Sequence, residues 1–366
     1  MTDNNKESIF DIAITDAINA HLEREGDPNA VYKDGMTYMH LAGMSNKTDN
    51  LEKLLQKGGD ITVEDAKGNT LLHMAAGDGP EGSNPEMVAY ILHQVEKKAL
   101  KLNFHGYKEF FVNKHNNDGK SAFLDTECRL NDNECDEVVE INNHFTTLCI
   151  LLEHGADPTK VDMRGESFLG RMIENHYMSN YHSGFLDRVT PEQREAFDKG
   201  YKEVVTETVK KGLDLTQAGH GETAVTRSIH ICNPKTLELF LELGANPNEG
   251  GKYSLPIMSV LHNDQCSFDI RTEMLKTLVK YDVGVNAKSM QDHQSAVELC
   301  TQKEHFHNTP PPQKLCDLVL GASTLQGIEA KDPTQIVESH RNTEAIAKEL
   351  SNETEMGAQE PSHEGL

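Results

Sequence analysis

The chain has no tryptophan, and aromatic residues make up only 6% of its 366 residues. That composition serves an aromatic-rich β-barrel poorly. It serves a layered helical core of Leu, Val, Ile and Ala well, because hydrophobic residues still account for 37%. Long apolar runs are also missing. The densest, Leu148 to Leu152, falls far short of the roughly 20 residues that span a bilayer. The first seven residues, Met1 to Glu7, have neither a basic region nor an apolar one, so no secretory signal is expected there. Seven cysteines are an odd number, widely scattered and without a C-x-x-C pair. They predict reduced, packed thiols in a cytoplasmic compartment. Positive charge is scarce too: 35 Lys and Arg stand against 59 Asp and Glu, a formal charge of -24. Such a field repels phosphate backbones and anionic bilayers, so neither nucleic acid nor a membrane is an expected partner. The acid excess serves solubility, or selects a partner with a basic patch. No G-x-G-x-x-G, Walker A or G-x-S-x-G sequence occurs.

What the sequence does contain is a repeat. Asp34 to Ala42 and Lys67 to Ala75 align without a gap, with Gly35/Gly68, Thr37/Thr70 and His40/His73 each 33 residues apart. A second glycine closes the unit 23 residues after the first, as Gly58 follows Gly35 and Gly244 follows Gly221. Gly35, Gly68, Gly119, Gly165 and Gly221 sit where a tight turn needs positive φ. Two residues later Thr37, Thr70, Ser121, Ser167 and Thr223 are placed to cap a short first helix. Gly58, Gly155, Gly212 and Gly244 stand where a left-handed residue ends a second helix. Between them, Leu51, Leu54 and Leu55, or Leu148, Leu151 and Leu152, line one helical face. One unit cannot bury that face alone, so neighbours must stack.

These residues closely resemble the ankyrin repeat: a turn glycine, then Thr-Pro-Leu-His, an apolar helix, and a Leu-Leu helix ended by Gly-Ala-Asp. The resemblance implies an all-α solenoid of helix-turn-helix units with hairpin loops. It spans about seven or eight units over residues 1–323, the first and last degenerate, with clear copies at about 34–65 and 67–115. The family's proline is absent; Tyr38, Leu71, Ala122, Phe168 and Ala224 stand in its place, and Asp282-Val283-Gly284 replaces the usual helix end. In such repeats the motif histidine, here His40 and His73, is structural. The resemblance also implies a protein–protein scaffold that holds its partner on a concave surface of fingers and first helices. By position, the contact residues are Lys33, Met36, Tyr38, Lys67, Asn69, Arg164, Glu166 and His220.

Insertions stretch four units, near 94–113, 126–143, 174–199 and 262–271. The third reads as an aromatic loop over 176–185, whose Tyr177, Tyr181 and Phe185 join the expected contacts. It ends in Thr190-Pro191-Glu192-Gln193, a capping box opening a long helix. The run Asp132 to Glu137 is acidic but lacks the glycine of a calcium loop, and the pairs His176/His182 and His305/His307 lack further ligands. No metal and no cofactor are therefore expected. The alternative to a binding scaffold is an enzyme built on the array, with Cys128 or Cys135 paired with His144 or His182. The repeats, however, occupy almost the whole chain.

Residues 324–366 read as an acidic, largely disordered tail, with nine acids against three bases and one short helix opened by Asp332-Pro333. The tail resembles the Glu-rich export signals of ankyrin effectors that intracellular bacteria secrete. That resemblance implies a protein acting on a host protein in the host cytosol, and the protein is separately expected to be a monomer.

Overall fold

The computed structural model describes residues 8–78, 82–104, 106–126, 138–181, 190–219, 221–251, 254–288, 294–301 and 311–329, with side chains at 78, 175–181 and 324–329 left aside. The chain divides into two compact units, residues 1–245 with 249–253, and residues 246–248 with 254–366.

The first unit opens with α1 (Ile9–Glu23), capped by the Ser8 hydroxyl, which accepts from the Phe10 N–H at 3.1 Å. A two-stranded hairpin follows, β1 (Val31–Lys33) and β2 (Met36–Thr37). Its turn places Asp34 at φ 51° and Gly35 at φ 82°. Positive φ at both central residues is the mirror-image turn that matches strand twist, and Asp-Gly is its strongest sequence signal. A Cβ on Gly35 would also stand 2.3 Å from the Ala66 Cβ. The helices then come in pairs: α2 (Tyr38–Gly43) with α3 (Thr48–Gln56), and α4 (Leu71–His73), continued by a π-helical turn at Met74–Asp78, with α5 (Pro85–Leu102). After α6 (Tyr107–Val112) come α7 (Ala122–Asp125) with α8 (Val138–Glu153), and α9 (Phe168–Tyr181) with α10 (Pro191–Lys210). The unit ends with α11 (Ala224–His230) and α12 (Pro234–Glu242).

Capping explains most of the starts. Thr37, Thr70 and Thr223 each form a reciprocal capping box with the third helical residue, and the Ser121 and Ser167 hydroxyls accept from Leu124 N–H and Gly170 N–H. Asn84 and Asn233 cap α5 and α12, each followed by proline at the first helical position. The ends follow the glycines: Gly58, Gly155, Gly212 and Gly244 all have φ between 91° and 95°. One hydrophobic core runs from Ile14 through Leu51, Leu72, Ile91, Leu148 and Val204 to Phe240, all buried. Each such side chain contributes roughly 1.5–3 kcal/mol relative to exposure. Gly200 matters for a different reason. A Cβ there would fall 2.2 Å from the Phe145 ring, so its absence lets α8 and α10 close on one another.

The second unit contains α13 (Pro256–His262), α14 (Phe268–Lys280), α15 (Ala296–Thr301) and α16 (Gln313–Glu329). Its buried residues include Ile257, Leu261, Leu275, Leu278, Leu299, Leu315 and Val319. Arg271 is buried and donates from Nε to Val260 O at 3.0 Å and from Nη2 to Leu261 O, holding the last carbonyls of α13.

Several sequence expectations change here. The altered end Asp282-Val283-Gly284 still stops its helix, because Asp282 itself takes the left-handed conformation at φ 59°. After α1 the residue with positive φ is Glu25, at 55°. The third insertion is not a loop up to residue 181, since the helix begun at Phe168 continues to Tyr181. The last part of the second insertion, residues 138–143, belongs to α8. Cys232 and Cys266 are each disulfide-bonded, against the expectation of reduced thiols throughout. Helix α16 runs past residue 323, where the tail was expected to begin. The short helix expected from Asp332 and the tail beyond 329 lie outside the described residues.

Candidate functional site

The fingers between units are held by side chains that the sequence reading missed. Three residues before the turn glycine stand Asp65, Asn116 and Asp162. Each turns its side-chain oxygen back on its own loop. Asp65 Oδ1 accepts from Lys67 N–H and Asn69 N–H, both at 2.8 Å. Asn116 Oδ1 accepts from Asp118 N–H at 3.1 Å and Lys120 N–H at 3.0 Å. Asp162 Oδ1 accepts from Arg164 N–H at 2.8 Å and Glu166 N–H at 2.9 Å. Such Asx turns fix a loop without using its outward side chains. Neighbouring tips are joined as well: Asn117 N–H donates to Lys67 O at 2.8 Å, and Met163 N–H donates to Asp118 O at 3.2 Å. The recurrence of an Asx residue three positions before each of these glycines was the signal available in the sequence.

Two histidines tie the first helices to the next finger. His40 Nδ1 accepts from Thr37 N–H at 3.3 Å and lies 2.8 Å from the Thr37 hydroxyl, while Nε2 lies 3.0 Å from Asn69 O. Nδ1 as acceptor leaves the ring proton on Nε2, which donates to that carbonyl. His73 repeats the pattern, with Nδ1 3.1 Å from Thr70 N and Nε2 3.0 Å from Lys120 O. Burial lowers the pKa of His40 below its ordinary value, outweighing the Asn69 carbonyl bond and the charges of Asp65 and Glu64.

Farther along, arginine replaces histidine as the tie, on the next residue of the first helix. Arg171 Nη1 donates to Leu124 O at 2.9 Å and Nη2 to Asp162 Oδ2 at 2.9 Å. Arg227 donates to Glu222 at 3.3 Å and to Glu174, and His230 pairs with the same Glu222. Burial works to raise the pKa of Glu222, yet His230 and Arg227 more than offset it and hold the carboxyl below the ordinary value. Asp162 is likewise held low, its burial outweighed by the backbone N–H groups of Glu166 and Arg164 and the charge of Arg171.

The expected contact residues fall into three groups. Lys33, Lys67, Arg164 and Glu166 are exposed on fingers. Met36 and Tyr38 are half-buried. The Tyr38 ring stacks on His21 at 3.7 Å and meets Tyr32 edge-on at 5.2 Å, so its orientation is fixed. Asn69 is a correction: it is only 2% exposed, and its amide donates to Asp65 and accepts from Asn116. It braces two fingers instead of offering a surface. Tyr177 and Tyr181 lie on the backbone of α9; Phe185 and His220 lie outside the described residues.

For a catalytic cysteine, the described residues offer little. Cys128, Cys135 and His182 lie outside them, and His144 is buried on α8. The Cys149 thiol is pushed up to about 11 by burial, with Glu203, Glu207 and Glu153 adding to it, and burial with Cys316 alongside pushes Cys300 up. Neither is a ready thiolate. Among the described residues no group of three or more His, Cys, Asp or Glu is placed to hold a metal ion. No helix among them is long and apolar enough to cross a membrane.

Residues 10–101 match the family model described as ankyrin repeats (3 copies). No curated protein matches. Among solved structures, the ankyrin repeat domain of Bcl-3, described as a unique member of the IkappaB protein family, is similar at 17% identity and TM-score 0.45, covering 75% of this chain and 100% of that one. The human ASB11 ankyrin repeat domain is similar at 14% identity and TM-score 0.44, covering 78% of this chain and 98% of that one. Ankyrin repeats are protein–protein interaction modules, and residues 10–101 of this largely helical chain match them.

Proposed function

We propose that this protein is a binding scaffold that holds another protein on the face made by its fingers and first helices. One observation carries the reading. Consecutive fingers are locked by Asp65, Asn116 and Asp162 and bonded tip to tip, yet Lys67, Arg164 and Glu166 remain exposed on them. A rigid backbone that presents exposed charged side chains lowers the ordering cost of association. The chain acts as a monomer, and the formal charge of -24 favours a partner with a basic patch. We place the partner in a host cell, with the protein delivered there as an effector. What supports this setting is the acidic composition of residues 324–366.

The test is site-specific photo-crosslinking of the full chain in eukaryotic lysate. A crosslinker at position 67 or 164 should capture one defined protein, whereas one at the exposed Lys202 of α10 should not. Lys67→Ala with Arg164→Ala should weaken that partner's binding by about tenfold. Equal capture from position 202, or capture that depends only on residues 324–366, would overturn the proposal.

A further inference from the structure

Helix α5 overruns its unit. The second helices α3 and α12 are 9 residues long, while α5 has 18 and ends at the left-handed Asn103, φ 51°. The chain then folds back: Phe104 N–H donates to Ala99 O at 3.1 Å, Tyr107 N–H to Phe104 O at 3.2 Å, and α6 begins. The repeat register returns at Asn113. Its side chain donates to Gly155 O and accepts from Asp157 N–H, both at 2.8 Å. Asn29 does the same for Gly58 O and Asp60 N–H in a unit without the overrun. From this excursion Phe111 and Val112 are buried in the core, and the half-buried Tyr107 packs against it.

Four large apolar side chains here point outward. Leu100 is 77% exposed and Phe110 is 64% exposed, with Leu102 and Phe104 each more than half exposed. Phe104 meets Tyr107 edge-on at 6.0 Å, and Phe110 lies three residues after Tyr107 on α6. Four large apolar side chains within eleven residues exceed what scattered surface exposure explains. The charge here is also reversed relative to the chain. Lys98 and Lys108 are taken up by Asp60 and Glu96, both at 2.7 Å. Lys97 and Lys101 are exposed and make no ion pair among the described residues. This is a small cationic, apolar surface on a protein of formal charge -24.

We propose that the knuckle formed by the end of α5 and the start of α6 docks an acidic segment of a partner protein that carries large apolar side chains. Leu100, Phe104 and Phe110 receive the apolar groups, and Lys97 and Lys101 receive the carboxylates. An anionic bilayer offers the same two chemistries, but a bilayer is a plane. It would bring the surrounding acidic surface against like charge, whereas a peptide segment meets only what lies within about one Debye length, ~8 Å. The local surface therefore selects a peptide. This site is separate from the fingers and does not rest on them.

Fluorescence anisotropy with the full chain tests this. The probes are a labelled peptide alternating Glu with Leu or Phe, and its counterpart with Lys in place of Glu. Phosphatidylcholine vesicles with and without phosphatidylserine are titrated in parallel. The acidic peptide should bind and the lysine peptide should not. Lys97→Glu with Lys101→Glu should weaken binding by about tenfold or more, as should Phe104→Ser with Phe110→Ser. These positions are exposed, so circular dichroism should stay unchanged, and Lys67→Ala with Arg164→Ala should bind normally. No binding of the acidic peptide, equal binding of both peptides, or indifference to the knuckle substitutions overturns the inference. Binding to phosphatidylserine vesicles without binding to the peptide replaces it with a membrane contact.

Discussion

The early and middle repeats of the first unit solve one problem in two ways. Each first helix must be tied to the structure beside it. At residues 34–78 the tie is a neutral imidazole, His40 to Asn69 O and His73 to Lys120 O. At residues 162–230 it is a guanidinium, Arg171 to Leu124 O and Asp162, and Arg227 to Glu174 and Glu222. The first solution keeps the buried groups uncharged. The second encloses charge and depends on every partner being present, because a buried charge that loses its counter-charge is costly. A conserved backbone geometry can thus rest on two chemistries with different sensitivities to mutation and to pH.

That contrast can be broken most directly at Arg227. Arg227→Ala leaves Glu222 nearly buried beside only His230 and should cost about 3 kcal/mol locally. Hydrogen exchange would show it as roughly hundredfold faster opening of α11 amides, with α2 unaffected. Replacing Arg227 and Glu222 together by apolar residues should restore most of the loss. If it does not, the guanidinium tie is not a charge-pairing device.

At His40 a smaller effect is expected, but one with a pH signature. His40→Ala leaves Thr37 N–H and Asn69 O without their partner and should cost about 2 kcal/mol. Burial holds the folded-state pKa of His40 below the ordinary value, so the unfolded chain binds the proton first. Stability is therefore fully present above about pH 6.5 and is lost as pH falls from there through the lowered folded pKa. Urea titrations across that window should show the slope in the native chain and a shallower one in His40→Gln. An unchanged slope would remove His40 as its source.

The smallest expected effect sharpens the comparison at the overrun. Asn113→Ala deletes the bridge to Gly155 and Asp157 and should cost about 1 kcal/mol, with exchange rising mainly in α6. Asn29→Ala should match it in the unit that has no overrun. A much larger loss at Asn113 would mean that the bridge, rather than burial of Phe111 and Val112, holds the excursion in place.

Much of this fold was legible because repetition amplifies weak local signals. A glycine, a threonine and a histidine recurring 33 residues apart say more together than any one of them alone. The caps at Thr37, Thr70, Ser121, Ser167 and Thr223 followed from spacing and are made by the side chains foreseen. The site was less legible. Asn69 looks like a finger residue by position but is consumed as a brace, because only the folded hairpin shows which way its amide turns. Arg171 and Arg227 stand six residues after Gly165 and Gly221, where Leu41, Met74 and Asp125 occupy the same place. No period in the sequence marks them as ties.

The sequence by itself determined the unit: its length, its turn glycines, its caps and its apolar faces. Those are local choices of φ, hydrogen bonding and helical spacing that each segment makes from its own residues. The tertiary structure alone decided which charges pair, which fingers brace one another and where the overrun of α5 turns its apolar side chains outward. Those outcomes depend on residues dozens of positions apart meeting in space, and stacking, unlike capping, leaves no short-range mark on the chain.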